Sequence, residues 1–311
     1  QVMDDQKGVD TQVSCAFCGS KRITINGLKG EHTTLLVDGL NLHSTISSFY
    51  GVETIPLVGI DEIEVYRGSG SALTAPESLG GAIQILTRPL LGNETELRFE
   101  IASDEQKSIT GSAIKKINPE HGILIGLSYG ETRPLDKDQN NISELPGQKN
   151  ANVFLKHSYR RSDLFEVNTR LSFSQMESVG GRMSWKKLER PVPLRADSSD
   201  FVDSDVRNDF IGDKDKITDN VNLTRAEVAQ VINIPVSENE SVKLKYGFSK
   251  QELATIYTHA YDYDNNDEIT AAGIEYEKIF DNDSSFRFGI DGKSEIMNSQ
   301  SDVLFIQRAP P

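Results

Sequence analysis

Strict alternation of apolar and polar residues over long stretches constrains the fold of this 311-residue chain more than any other feature. In FEVNTRLSF (165–173), phenylalanine, valine, threonine and leucine alternate with glutamate, asparagine, arginine and serine. The segments ELRFEIA (96–102), GILIGLSYG (122–130) and SFRFGIDG (285–292) alternate in the same way. Because successive side chains of a strand point to opposite faces, this period predicts strands with one apolar and one polar face.

The predicted strands are unusually long. Alternation also fits the antiparallel sheets of a soluble sandwich, but strands of ordinary domains are usually five or six residues long. The longest predicted strands here cover 107–117, 150–160, 164–176, 219–235 and 241–257. This length favours a membrane barrel, whose strands cross the bilayer.

The connections between these strands alternate in length. Short polar turns are predicted at 118–121, 160–163, 235–240 and 280–285, and long loops at 132–149, 177–218 and 257–268. Only 103–107 departs from the rhythm. Short turns on one rim and long loops on the other are typical of an outer-membrane barrel. About nine strands are predicted in 91–311, and since bacterial single-chain barrels have even strand numbers, we expect the barrel to be incomplete in this chain.

Composition excludes several classes of function. The net charge is −14, whereas a nucleic-acid-binding face needs clustered lysine and arginine. The sequence contains no run of 18 apolar residues, so it predicts no transmembrane helix. Its first residues, QVMDDQKGVD, do not resemble a signal peptide. No Ser/His/Asp arrangement, carboxylate pair or phosphate loop points to an enzyme, since GSGSAL lacks the Lys-Ser/Thr ending of a P-loop. With FIQRAPP at the other end, we expect an excerpt of a longer protein.

Residues 1–90 have a different texture and predict a separate small domain. RITINGL (22–28), TTLLVDGLNL (33–42), IDEIEVYRG (60–68) and GGAIQILTR (80–88) predict short strands bounded by glycine, aspartate and asparagine. Asp38 and Gly39 predict a two-residue hairpin turn. One helical turn is predicted near 71–74.

This N-terminal part resembles the plug domain of TonB-dependent receptors. The matching strings are NGLKGEHTTLLVDGLNL and IPLVGIDEIEVYRGSGSALTAPESLGGAIQILTR, within residues 8–90. Asn26 stands where the family usually has arginine, and Thr74 and Ala75 replace an aromatic-glycine pair. The resemblance implies a mainly β protein: a small mixed α/β plug, here without its N-terminal part, inside an antiparallel transmembrane barrel of about 22 strands.

The resemblance also implies a location, partners and a function. Such receptors lie in the lipid of the Gram-negative outer membrane and import a scarce ligand with energy delivered by TonB, whose binding segment we expect upstream of this chain. Since a barrel lumen is polar, we expect Arg67, Glu62 and Glu64 to join a plug–wall ion network rather than contact ligand.

Two plug loops, 14–21 and 43–53, correspond to loops that reach the external apex and contact ligand in the family. Cys15 and Cys18 have the C-x-x-C spacing that holds a soft metal ion such as copper or zinc, and His43 is the candidate third ligand. The predicted substrate is therefore a metal ion or a metal chelate, such as a siderophore-like complex.

Alternatives remain open for the same loops. Cys15 and Cys18 could form a structural disulfide outside the cell, or less readily a redox pair. Phe17, Phe49 and Tyr50 would then contact an organic nutrient such as a vitamin or a glycan. A surface-binding relative without energy coupling is a third hypothesis.

Two further candidates lie in the predicted barrel. His259, in the predicted long loop 257–268, is a better barrel ligand than His157, which is predicted on a strand near the short-turn rim. DYDNNDEIT (262–270) resembles a calcium loop but lacks its glycine and its bidentate glutamate, and predicts an acidic external loop.

Overall fold

The architecture of the chain is given by a computed structural model that divides it into a small N-terminal plug and a long antiparallel sheet. The structure describes residues 8–15, 19–28, 30–43, 54–55, 58–68, 78–102, 106–161, 164–181, 218–257, 261–281 and 284–303. Within these residues, no helix has the length and apolar character needed to cross a membrane.

The plug is built from two small sheets that share one apolar core. Strand β1 (Val9–Cys15) pairs antiparallel with β2 (Ser20–Ile25), and a 3-10 turn (Gly30–His32) leads into β3 (Thr33–Val37). Strand β5 (Gly81–Thr87) lies between β3, which is parallel to it, and β4 (Ile60–Arg67), which is antiparallel. The buried core contains Val9, Ile23, Ile25, Val37, Ile55, Ile83 and Ile85.

A tight turn ends β3, as the sequence predicts. Asp38 and Gly39 have φ values of 49° and 79°, the left-handed region that the central residues of a type I′ turn require. The N–H groups of Val37 and Leu40 each donate to the other's carbonyl at 3.1 Å. The turn leaves the Asp38 carboxylate at the edge of the plug.

Among the described residues, nine strands form the second part, which we call the wall. Each strand pairs antiparallel with its sequence neighbours, so the sheet order is β14 to β6 without a crossover. This confirms the predicted run of long antiparallel strands. Their bounds are β6 (Glu94–Ile101), β7 (Lys107–Lys116), β8 (His121–Thr132), β9 (Gly147–Arg161), β10 (Phe165–Gly181), β11 (Thr218–Ser237), β12 (Glu240–Tyr257), β13 (Tyr261–Ile279) and β14 (Ser285–Val303).

The two faces of the wall have different environments. On the inner face, Leu124 and Phe154 are buried against the plug. On the outer face, Ile125, Leu127 and Phe173 remain 44–55% exposed. An outward apolar band opposite a covered inner face is the arrangement of barrel strands in a membrane.

The predicted acidic loop around 262–270 is wrong. Strand β12 ends at Tyr257 and β13 begins at Tyr261, so only 258–260 connect them and DYDNNDEIT lies in β13. Asn265 and Asp267 are buried on the inner face, where a barrel tolerates polar side chains. An extended strand cannot supply the turn that a calcium loop needs. His259 and the predicted helical turn at 71–74 lie outside the described residues.

Candidate functional site at the plug–wall interface

A chain of buried ion pairs joins the plug to the wall. Arg170 on β10 donates from Nη1 to Asp38 Oδ2 at 2.9 Å, and its other terminal nitrogen pairs with Glu227 on β11. Glu227 also accepts from Arg225 at 3.0 Å. Two guanidinium groups and two carboxylates therefore balance in charge, with Arg170, Arg225 and Glu227 at most 5% exposed and Asp38 24% exposed.

The same contact extends to the end of β5. Asp38 Oδ1 accepts from the Thr87 N–H at 2.9 Å, and its carboxylate also accepts from the Thr87 hydroxyl. Lys156 on β9 donates from Nζ to Thr87 Oγ1 at 2.8 Å and to the Arg88 carbonyl at 2.9 Å. The ends of β3 and β5 are thus fastened to two adjacent wall strands.

The sequence predicts a plug–wall ion network around Arg67, Glu62 and Glu64, and the structure shows such a network at Asp38. The sequence pattern places Asp38 only in a turn, whereas its carboxylate makes the contact with Arg170. Glu64 instead accepts a 2.7 Å hydrogen bond from the Tyr66 hydroxyl within β4, which raises the pKa of Tyr66 above its usual range. The inward position of Arg170 in an alternating strand was the only sequence signal for its role.

His43 is buried between plug and wall. The residue is 7% exposed, and its Nδ1 has no hydrogen-bond partner among the described residues. Its carbonyl accepts from Lys293 Nζ at 3.2 Å, while the preceding Leu42 carbonyl accepts from Arg225 and, at 2.9 Å, from Ser249. Burial, and then the positive charge of Arg225, hold the pKa of His43 well below its usual value, so the ring is neutral.

The other predicted ligand-contacting residues are only partly covered by the structure. The backbone of Cys15 ends β1 and pairs with Ser20. Gly19, at φ 68°, packs so closely against Pro146 and Gln148 that a Cβ would clash there. The start of β2 therefore lies at the long-loop rim, which we define by the connection 133–146 from β8 to β9. The side chains of Cys15, Phe17, Cys18, Phe49 and Tyr50 lie outside the described part.

The connection 133–146 carries three acidic side chains whose oxygens lie within 4.8 Å of one another: Asp136, Asp138 and Glu144. Their carboxylates accept hydrogen bonds from the loop's own backbone, including Lys137 N to Glu144 at 2.6 Å. This bond lowers the pKa of Glu144. The cluster orders the loop.

A cavity of about 310 Å³ lies between the plug and the wall. The cavity lies in the half of the wall that is closer to the short-turn rim. We define this rim by the connections 117–120, 238–239 and 280–284. Among its lining residues are Asp38, Tyr66, Lys156, Arg170, Lys243 and Arg287. The cavity is therefore a polar space between the plug and the wall.

Residues 1–82 match the family described as TonB-dependent Receptor Plug Domain. The chain is 36% identical over 67 residues to the vitamin B12 transporter BtuB of Vibrio vulnificus strain YJ016, which covers 22% of the chain and 11% of that protein. It is 23% identical over 159 residues to BtuB of strain CMCP6, and the match covers 51% of this chain and 26% of that protein.

Solved structures show the same fold. The ferric yersiniabactin receptor FyuA from Yersinia pestis superposes with a TM-score of 0.71 at 14% identity, covering 97% of this chain and 47% of FyuA. The ferripyoverdine receptor of Pseudomonas aeruginosa superposes with a TM-score of 0.72 at 10% identity, and the match covers 99% of this chain and 41% of that receptor. The chain thus spans under half of these structures and about a quarter or less of the BtuB sequences. Residues 1–82 thus carry the plug domain of TonB-dependent receptors, and the antiparallel strands that follow have the fold of the barrel of such outer-membrane receptors.

Proposed function

We propose that this chain forms the plug and part of the barrel of a receptor that imports a scarce ligand with energy from TonB. The observation that carries the proposal is the buried pair between Asp38 of the plug and Arg170 of the wall. Ion pairs of this kind add little net stability over an apolar contact but specify one geometry. The plug is therefore held in a defined position by contacts that it can exchange for water when it moves.

The proposed substrate is a metal ion or a metal chelate. Cys15 and Cys18 supply two thiol groups at the spacing of a soft-metal site. The packing of Gly19 against Pro146 supports a position of their loop at the long-loop rim. His43 has less support as a third ligand, because cationic side chains surround its buried ring.

The alternative substrate is an organic nutrient, with Cys15 and Cys18 joined in a disulfide. The sequence similarity to vitamin B12 transporters favours it, whereas similarity in fold to receptors of siderophores favours the metal chelate. In the alternative, Phe17, Phe49 and Tyr50 would provide the apolar contacts.

The deciding experiment uses the full-length receptor, purified anaerobically in detergent. Free thiols and bound metal are counted together in the wild type and in a Cys15→Ser/Cys18→Ser variant, with His32→Asn as a control. A copper or zinc content about one equivalent lower in the cysteine variant than in the wild type and the control supports metal capture. Two oxidised thiols and an equal metal content in wild type and cysteine variant would reject it in favour of the disulfide.

Transport itself is tested in cells. Uptake of the labelled metal should require both the receptor and TonB, and replacing Asp38 by asparagine should lower uptake without lowering the amount of receptor in the membrane. Equal uptake in cells with and without TonB would contradict the proposed energy coupling.

A further inference from the structure

Two histidines meet on the outer face of the wall, away from the plug. His121 is the first residue of β8, and His157 lies on the neighbouring strand β9. His121 Nδ1 and His157 Nε2 are 3.1 Å apart. Since Lys156 reaches the plug from the inner face, the adjacent His157 points outward.

Both rings lie beside further contacts that keep them near each other. His121 pairs across the strands with Tyr159, and their rings stack with centroids 4.6 Å apart. Tyr159 in turn meets Phe165 edge-on at 5.8 Å. The Asn118 side chain accepts from the His121 N–H at 2.8 Å, which closes the turn before β8. Sheet pairing, stacking and this turn hold the two imidazoles together without a ligand.

The spacing of the two nitrogens suits one metal ion. Imidazole nitrogens bind zinc at about 2.0–2.1 Å, so two of them 3.1 Å apart subtend about 100° at the metal. This angle lies between those of octahedral and tetrahedral coordination. The ring centroids are 5.3 Å apart with an interplanar angle of 21°, so the two nitrogens face each other and both rings turn for their lone pairs to meet at the ion. Imidazole is a favoured ligand of zinc, copper and nickel.

We propose that His121 and His157 form a binding site for a divalent transition-metal ion, with water completing the coordination. Binding needs a lone pair on each facing nitrogen. The proton shared in the neutral pair therefore moves to the other nitrogen of the ring that carries it, and no net proton is released. The ion replaces one hydrogen bond with two coordinate bonds between β8 and β9.

This site is independent of the proposed metal capture. It lies near the short-turn rim on the outer face, whereas the loop of Cys15 and Cys18 belongs to the plug and leads into Gly19 at the other rim. Tyr159 and Phe165 have the character of the aromatic girdle that flanks the apolar band of a barrel. The ion would thus clamp two wall strands at the membrane boundary.

The test uses the full-length receptor without a histidine tag, in the Cys15→Ser/Cys18→Ser background, so that failure of the capture proposal does not affect it. Zinc and copper(II) are titrated calorimetrically. We expect one ion per receptor at this site and an affinity at least about tenfold weaker in either His121→Asn or His157→Gln, since loss of a group that only hydrogen-bonds to a ligand already costs about 10–100-fold at natural metal sites. His32→Asn should bind as the parent does.

A second readout separates coordination from a loss of folding. The copper(II) spin-resonance spectrum should show coupling to two imidazole nitrogens in the parent and to one in each variant, while metal-free thermal unfolding stays unchanged. Equal affinity in parent and variants, or no binding at millimolar metal, would overturn the proposal.

Discussion

Several buried charged residues lie where plug and wall meet. Arg170, Arg225 and Glu227 are each at most 5% exposed, and Asp38 completes their balance of charge. Removing an ion from water costs several kcal/mol, which only its partners offset. Each of these residues therefore depends on the others more strongly than a surface ion pair does.

Replacing Arg170 by methionine should loosen the plug severely. The change leaves Asp38 and Glu227 without their shared cation, and breaking a buried pair costs about 3–5 kcal/mol. Thermal unfolding and limited proteolysis of the plug in detergent measure the loss. The control is Arg98→Met, which removes an exposed 3.0 Å pair with Glu96 and should cost less than about 1 kcal/mol. Similar losses in both variants would contradict a special role for the buried network.

Docking of the plug should weaken on mild acidification because of His43. Its pKa in the folded protein lies well below 6.5, so the unfolded state binds a proton first as the pH falls. The contribution of the neutral His43 ring to the free energy of unfolding is fully present above about pH 6.5. Below that pH it decreases by up to about 1.4 kcal/mol per pH unit for one proton. The ring faces Arg170, Arg225 and Lys293 as well as Glu227, and a protonated ring would add a cation to this group.

Proteolysis of the plug between about pH 7.5 and 5.5 checks this expectation. His43→Asn should remove most of the pH dependence, whereas His32→Asn should keep it. An unchanged pH profile in His43→Asn would show that other groups cause the loss.

At the scale of elements, glycines in wall strands leave the space into which plug side chains pack. A Cβ on Gly247 in β12 would lie 2.7 Å from Leu42 Cδ1, and one on Gly126 in β8 would clash with Val58. Both glycines face inward, where the plug backbone passes close to the sheet. Strand sequence thus determines how near each part of the plug can approach.

Replacing Gly126 by valine should push the segment around Val58 away from β8. Overpacking of a close contact typically costs about 1–3 kcal/mol. Gly130→Val is a matched control on the same strand and face, because the nearest atom to its added Cβ, on Ser108, is 3.9 Å away. Hydrogen exchange at residues 58–60 should rise in the first variant only, and a rise in both would point to a defect of β8 itself.

At the scale of the whole molecule, the two faces of the wall suit two different environments, an apolar one outside and a polar one inside. Its outer face carries exposed apolar side chains such as Leu127 and Ile274, and its inner face buries polar ones such as Asn265 and Gln251. Charged side chains are costly on the lipid face in proportion to their depth. The same alternation that builds the strands therefore sets the position of the protein in the membrane.

An arginine at Leu127, midway along β8, should destabilise the barrel by about 2–4 kcal/mol because it would lie deep in the lipid. Ile101→Arg, at the end of β6, should cost about 0–1 kcal/mol, since a charge near the interface reaches water. Urea unfolding of the receptor in lipid vesicles compares the two. Equal costs would contradict the predicted orientation of these strands.

The sequence by itself determined the features that depend on neighbouring residues. Alternation predicted the long strands, and β12 ends at Tyr257 as expected. Asp38 and Gly39 predicted their turn because only a few residue types adopt left-handed φ readily. The ordered motifs of 8–90 also predicted the plug, which the family match to 1–82 confirms.

Only the tertiary structure decided which distant groups meet. Asp38 and Arg170 are 132 residues apart, and Arg170 and Glu227 are 57 apart, so no local pattern relates them. From the sequence, the polar run at 262–270 resembles a loop. In the structure it is part of β13, and some of its polar side chains are buried on the inner face of the wall. Local preferences act over a few residues, whereas pairing of buried charges is determined by the folded sheet that removes them from water.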